Sequence, residues 1–128
     1  MGRLQSDFLD RIELFCDRIL DVTEALSSSS CPRRILEQTA ASGTSVGANT
    51  FEADEAMSRA DFAKTLGVVI KDKELNETRF WLRLVSRRRW ITSDRLLPLQ
   101  SEADELRKIV GTIIVRTRNP LPTAQNSG

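Results

Sequence analysis

Residues 39–50 read Thr-Ala-Ala-Ser-Gly-Thr-Ser-Val-Gly-Ala-Asn-Thr, twelve nearly unbroken small residues between flanks with helical patterning. Large side chains make ordinary cores, whereas a run of small ones lets a second backbone approach closely, as at tight helix crossings. Gly43 and Gly47 would each cost ~1 kcal/mol against alanine in a helix interior. Burial against a close neighbouring helix is the natural offset, and an exposed loop is the alternative reading. The run therefore points to a packing solution more than to a chemical activity.

The rest of the chain reads as helix. Leu4, Phe8, Ile12, Phe15, Ile19, Val22 and Leu26 recur at steps of four and three, with Leu9, Cys16 and Leu20 widening the stripe. This predicts a first amphipathic helix over about Leu4–Leu26. After the polar Ser27–Ser30 break, Pro32 suits a first helical turn. A second helix is expected over about Pro32–Met57, with Leu36, Thr39, Gly43, Val46, Thr50, Ala53 and Met57 inward. Ser58 followed by Asp61 resembles a capping pair and opens a third helix, Arg59–Arg87. Phe62, Leu66, Val69 and Ile70 begin its apolar face, and Phe80, Trp81, Leu84 and Val85 close it. Lys73, Asn76 and Glu77 interrupt that stripe. Residues 88–92 form a turn, and a fourth helix runs from Ser93 or Asp94 to about Arg116. Pro98 falls within its first turns. Four helices with short links predict an all-α, antiparallel up-down-up-down four-helix bundle over residues 1–117. The Pro-containing tail, 118–128, is expected to be disordered.

Composition narrows the function. At 128 residues, with 40% apolar and 29% charged, the chain matches one soluble domain. It contains neither histidine nor tyrosine. The commonest general base and transition-metal ligand are thus missing, and Ser-His-Asp or Cys-His machinery cannot be built. No stretch approaches the ~20 apolar residues of a membrane span, and the N-terminus lacks a secretory core. Cys16, on an apolar helix side, and Cys31, at a helix start, read as unpaired thiols. The expected location is the cytoplasm.

Charge is unevenly spread. Residues 1–57 hold 5 Lys/Arg against 10 Asp/Glu, whereas residues 58–89 hold 9 against 4. An acidic half and a basic helix in one domain suit head-to-tail self-association. Arg83, Arg87, Arg88 and Arg89, with Trp90 beside them, form the densest positive cluster. Arginine forks match phosphates and an exposed tryptophan can stack on a base. The plainer role is a solvated helix end complementing the C-terminal dipole.

Glu52, Glu55, Glu74 and Glu77 invite comparison with the di-metal sites of bundles, but those need Glu-x-x-His pairs and there is no histidine. A buried polar network that sets helix register fits them better. Its expected members are Asn49, Glu74 and Glu77, with Ser45 and Lys73. Gly43-Thr-Ser-Val-Gly47 has the wrong spacing for a phosphate-cradling loop. No metal, no cofactor and no enzymatic activity are expected.

Two stretches carry a resemblance. Ser42-Gly43-Thr44-Ser45-Val46-Gly47-Ala48-Asn49, with Glu52-Ala53, is followed by Asp61-Phe62 and by Lys73-Glu74-x-Asn76-Glu77-Thr78-x-Phe80-Trp81-Leu82. In that order and separation they resemble the four-helix-bundle proteins encoded in intervening sequences of bacterial large-subunit ribosomal RNA genes. Glu105-Leu106-Arg107-Lys108-Ile109 agrees. The resemblance covers about residues 4–117. It implies a homopentameric ring, and a relationship to the accessory variability determinant of diversity-generating retroelements, a basic pentamer that engages nucleic acid. Ser42, Gly43, Ser45, Gly47, Asn49, Glu52, Lys73, Glu74, Asn76 and Glu77 are the expected close-packed and polar centre. The chain departs from the family pattern at Arg88-Arg89-Trp90, where a glycine-containing turn is common, and at Leu75, where alanine is usual. The implied role is a non-enzymatic oligomeric scaffold contacting RNA or DNA through the basic end of helix three. The alternative is a purely structural module whose partner is another protein.

Overall fold

The computed structural model describes residues 2–69 and 74–120, and among them the protein is all-α. The helices are α1 (Ser6–Leu26), α2 (Arg33–Asp54), α3 (Arg59–Gly67), α4 (Glu74–Arg87) and α5 (Ser93–Arg118). Of the expected tail, Arg118 closes α5 and residues 121–128 lie outside the described residues.

The first, second and last helices match the periodicity. Ile12, Phe15, Ile19 and Leu26 of α1 are buried, as are Leu99, Ala103, Leu106 and Val110 of α5. All of these but Val110 meet Val46 of α2 and Leu75, Leu82 and Val85 of α4 in one core. A second cluster, Ala53, Phe62, Leu66, Val110 and Ile114, closes the end where α3 packs. Removing any one of the largest of these side chains would cost about 2–5 kcal/mol.

The predicted third helix is two helices. Gly67 is followed by the β-branched run Val68-Val69-Ile70, all poor helix formers. α3 ends at Gly67, and Val68–Val69 wind into a wider π-type turn. The apolar stripe resumes out of phase. Leu75, Leu82 and Val85 face the core, while Phe80, expected inside, is 55% exposed. Two smaller expectations also change. Met57 lies past the end of α2 and is 92% exposed, and Leu20 sits on the outer edge of α1. The expected cap is present, with Ser58 Oγ accepting from the Asp61 N–H at 3.1 Å.

Neighbouring helices run in opposite directions. Ile19 and Cys16 of α1 meet Gly43 and Gly47 of α2. Ser42 and Asn49 of α2 meet Thr78 and Glu74 of α4. Arg79 and Ser86 of α4 meet Asp104 and Ser93 of α5. Arg11 closes the circuit by forking onto Glu102 of α5 at 2.7 and 2.8 Å. α1 and α4 lie diagonally across the core: their side chains share it, but their backbones do not come close among the described residues. The N-terminal segment straps across the α2–α3 junction. Asp54 accepts from the Arg3 and Leu4 N–H groups at 3.1 and 2.6 Å, and Arg3 Nε donates to the Ala56 carbonyl at 2.8 Å.

Candidate functional site

The small-residue run is helical, and its hydroxyls explain how. Thr39, Thr44 and Thr50 each donate to the carbonyl four residues back, at 2.7–2.8 Å. Residues that would compete with the helix are thereby satisfied within it. Gly43 and Gly47 face α1. A Cβ on Gly43 would stand 2.5 Å from Ile19 Cγ2, and one on Gly47 would stand 2.6 Å from Cys16 Sγ. The crossing has no room for a Cβ at Gly43, and one at Gly47 would require the Cys16 thiol to turn aside. Cys16 Sγ donates to the Gly43 carbonyl at 3.6 Å, and burial pushes its thiol up, which makes it a poor nucleophile.

The opposite side of α2 carries a polar seam to α4. Asn49 Nδ2 donates to Glu74 Oε1 at 2.6 Å and to the Ser45 carbonyl at 3.2 Å. Glu74 Oε2 is buried with no hydrogen-bond partner among the described residues. Burial raises the Glu74 carboxyl above the usual carboxylate range. The Asn49 hydrogen bond opposes that shift and the charge of Glu77 adds to it. Glu77 turns away, its Oε1 accepting from Trp81 Nε1 at 3.2 Å. The expected network therefore joins Asn49 to Glu74, while Glu77 is tied within α4. Lys73 lies outside the described residues. Glu52 is exposed on α2, and Asn76 is exposed, with Arg79 donating to its Oδ1 at 3.3 Å.

Thr78, which belongs to the family-like stretch but is not an expected member of the network, is the buried center of the seam. Its Oγ1 donates to the Glu74 carbonyl at 2.6 Å and shares that proton with Ser42 Oγ at 3.1 Å. Ser42 in turn donates to the Thr39 carbonyl. The available signal was the spacing Glu74–Thr78, which puts the hydroxyl over the preceding turn of the same helix.

The basic cluster forms the end of α4. The Arg89 N–H donates to the Ser86 carbonyl and the Trp90 N–H to the Val85 carbonyl, at 3.1 and 3.2 Å. This pairing is the Schellman closure of a helix, which needs a left-handed residue after the cap. Arg89 takes that conformation, with φ 58°. Arg88 lies over the half-buried Trp90 ring, 5.7 Å from its centroid. Arg83, Arg87, Arg88 and Arg89 are exposed, and none is paired with a carboxylate among the described residues. Arg83 stands apart from the turn, in a groove between α4 and α5 with Phe80, Arg79 and Asp104.

A model of the 23S rRNA-intervening sequence proteins matches residues 5–112. The chain belongs to that family. Among solved structures, it is similar to a protein of unknown function from the S23 ribosomal protein family of Bacteroides thetaiotaomicron. The two are 35% identical with a TM-score of 0.77, over 83% of this chain and 96% of that one. No curated protein matches the sequence. The matched span contains the α1–α2 crossing, the α2–α4 seam and the basic turn. In this member the turn has an arginine at the left-handed position. Among the described residues no group of three His, Cys, Asp or Glu side chains comes together as a metal site, and no helix is long and apolar enough to cross a membrane.

Proposed function

We propose that the protein is a non-enzymatic, self-associating scaffold of the cytoplasm that contacts RNA or DNA through the turn after α4. In this reading the helices make an antiparallel four-rod bundle, with α3 and α4 as successive parts of one rod. The observation that carries the reading is Arg89. A non-glycine residue in the left-handed region costs roughly 1–2 kcal/mol, and local strain held at an exposed charged residue is a mark of use. Arg87 and Arg88 precede it, and Trp90 offers a partly open ring. Self-association, with a pentamer as the expected size, is supported by the family resemblance and by the charge division between the halves of the chain. A ring repeats each basic turn by symmetry, so weak phosphate contacts add through multivalency.

Labelled RNA and DNA should bind at ~50 mM salt and weaken steeply toward ~200 mM, because phosphate contacts release counterions. Changing Arg87, Arg88 and Arg89 together to alanine should weaken both alike and flatten the salt slope, with helical content unchanged. If the wild type fails to bind at ~50 mM salt, the alternative holds: a structural module whose partner is a protein, favoured by the exposure of Phe80. Light scattering checks self-association, since a monomer would weigh 14.4 kDa.

A further inference from the structure

The outer faces of α1 and α4 are opposite in charge and alike in exposing apolar side chains. On α1, the side turned from the core carries Asp10, Asp17, Asp21 and Glu24, all exposed. Leu14 and Leu20 stand among them, 56% and 41% exposed. Of the bases on α1, Arg11 is drawn across to Glu102, and Arg18 lines the groove toward α5 beside Asp21. On α4, the helical spacing sets Phe80, Arg83 and Arg87 on the face opposite Leu75, Leu82 and Val85. All three are exposed. Phe80 packs edge-on against Trp81, 5.1 Å between centroids, so its ring is held rather than loose. Arg79, one turn away, is already committed to Asp104 at 2.6 Å.

We propose that the α1 face of one copy docks on the α4 face of the next, with Leu14 and Leu20 against Phe80 and with Asp10 and Asp17 facing Arg83 and Arg87. This rests on the self-association reading above and names its interface. A second copy is the occupant because the complementary surface is present in the same chain and cannot be reached within it. α1 and α4 lie diagonally across the core, with α2 and α5 between them around the circuit. The contact is therefore heterologous: each copy offers one acidic and one basic face, and the chain of contacts continues until it closes. Exposed leucine and phenylalanine supply the dry center, and the charges supply orientation and exclude the like-charged pairings. The assignment divides the basic cluster. Arg83 serves the protein contact, Arg87 at the end of α4 borders both surfaces, and Arg88 and Arg89 of the turn are left for a polyanion.

Charge reversal tests the interface. Asp10→Lys with Asp17→Lys, or Arg83→Glu with Arg87→Glu, places like charges across the contact. Each pair should raise the concentration at which the assembly dissociates by at least ~10-fold, read by light scattering. All four positions are exposed, so circular dichroism should show unchanged helicity. Combining the four changes in one chain restores complementarity and should bring dissociation back to within ~3-fold of the wild type. An oligomeric wild type that ignores both reversals, or a combined variant that shows no recovery, overturns this interface and leaves self-association standing. A monomeric wild type overturns both.

Discussion

Gly43→Ala is the substitution that most directly reads the closeness of α1 and α2. Two terms oppose each other. Alanine is better than glycine in a helix interior by ~1 kcal/mol. The added Cβ would stand 2.5 Å from Ile19 Cγ2 and 2.8 Å from Ile19 Cγ1. Neither is the far end of a flexible chain, so α1 must move or Ile19 must leave its rotamer, at about 1–3 kcal/mol. The net expectation is a loss of ~1 kcal/mol. Gly67 supplies the control, since a Cβ there meets nothing within 4 Å. Gly67→Ala should stabilise by about 0.5–1 kcal/mol. The same change thus has opposite sign in two helices, and the difference isolates the contact from the propensity. Urea denaturation followed by circular dichroism, at one protein concentration, measures both. Ile19→Ala removes the two closest atoms and leaves Ile19 Cβ at 3.0 Å. In that background Gly43→Ala should be less harmful, with a coupling of about 0.5–3 kcal/mol. Gly43→Leu should abolish the native packing. If Gly43→Ala is as stabilising as Gly67→Ala, the tight crossing is not a feature of the molecule in solution.

Three further outcomes are expected. Arg89→Gly should stabilise by ~1 kcal/mol, because it relieves the left-handed backbone while keeping both hydrogen bonds of the turn; a loss in thermal denaturation would mean that the side chain holds the turn together. Glu74 has a folded-state pKa raised from its ordinary 4.5, so its contribution favours the fold in acid and is lost as pH rises through the raised value. Glu74→Gln keeps an acceptor for Asn49 and should be at least as stable as the wild type at pH 7, with the advantage shrinking toward pH 4; the opposite trend in pH-resolved unfolding would reverse the assignment. Thr78→Val keeps the shape but removes the hydroxyl bonded to the Glu74 carbonyl and to Ser42, at a cost of about 1–2 kcal/mol. A variant unfolding at the wild-type urea midpoint would show the seam to be incidental.

The parts of the fold legible in the sequence are those where one period runs unbroken. Ile12, Phe15 and Ile19, and Leu99, Ala103 and Leu106, hold a single phase through their helices, and each is buried. The third predicted helix failed because a winding change does not alter composition. Beyond Gly67 and the π-type turn the phase moves, so Phe80 passes outward and Leu75 and Leu82 inward. The interruption of the stripe by Asn76 and Glu77 was the visible trace of that shift. The glycines were legible because a tight crossing requires small residues. The partners of the polar seam were less so, because a Thr78 hydroxyl bonded to its own helix looks, in sequence, like any other threonine. The left-handed conformation of Arg89 had no side-chain signal at all, since glycine would ordinarily announce it.

The strap made by Arg3 and Leu4 has a topological consequence. It lies on Asp54 and Ala56, and Leu4 and Phe8 share a groove with Phe62, Ile113 and Thr117 near the close of α5. The start of the described chain and the end of its last helix therefore meet at one pole. The Ser27–Pro32 link lies at the opposite pole, since α1 reaches it only by running its full length away from the strap. A circular permutant could join the two ends across a short linker and open new ones among Ser28–Ser30 without cutting a helix or the core. The order of helices along the polypeptide is thus separable from their arrangement in space.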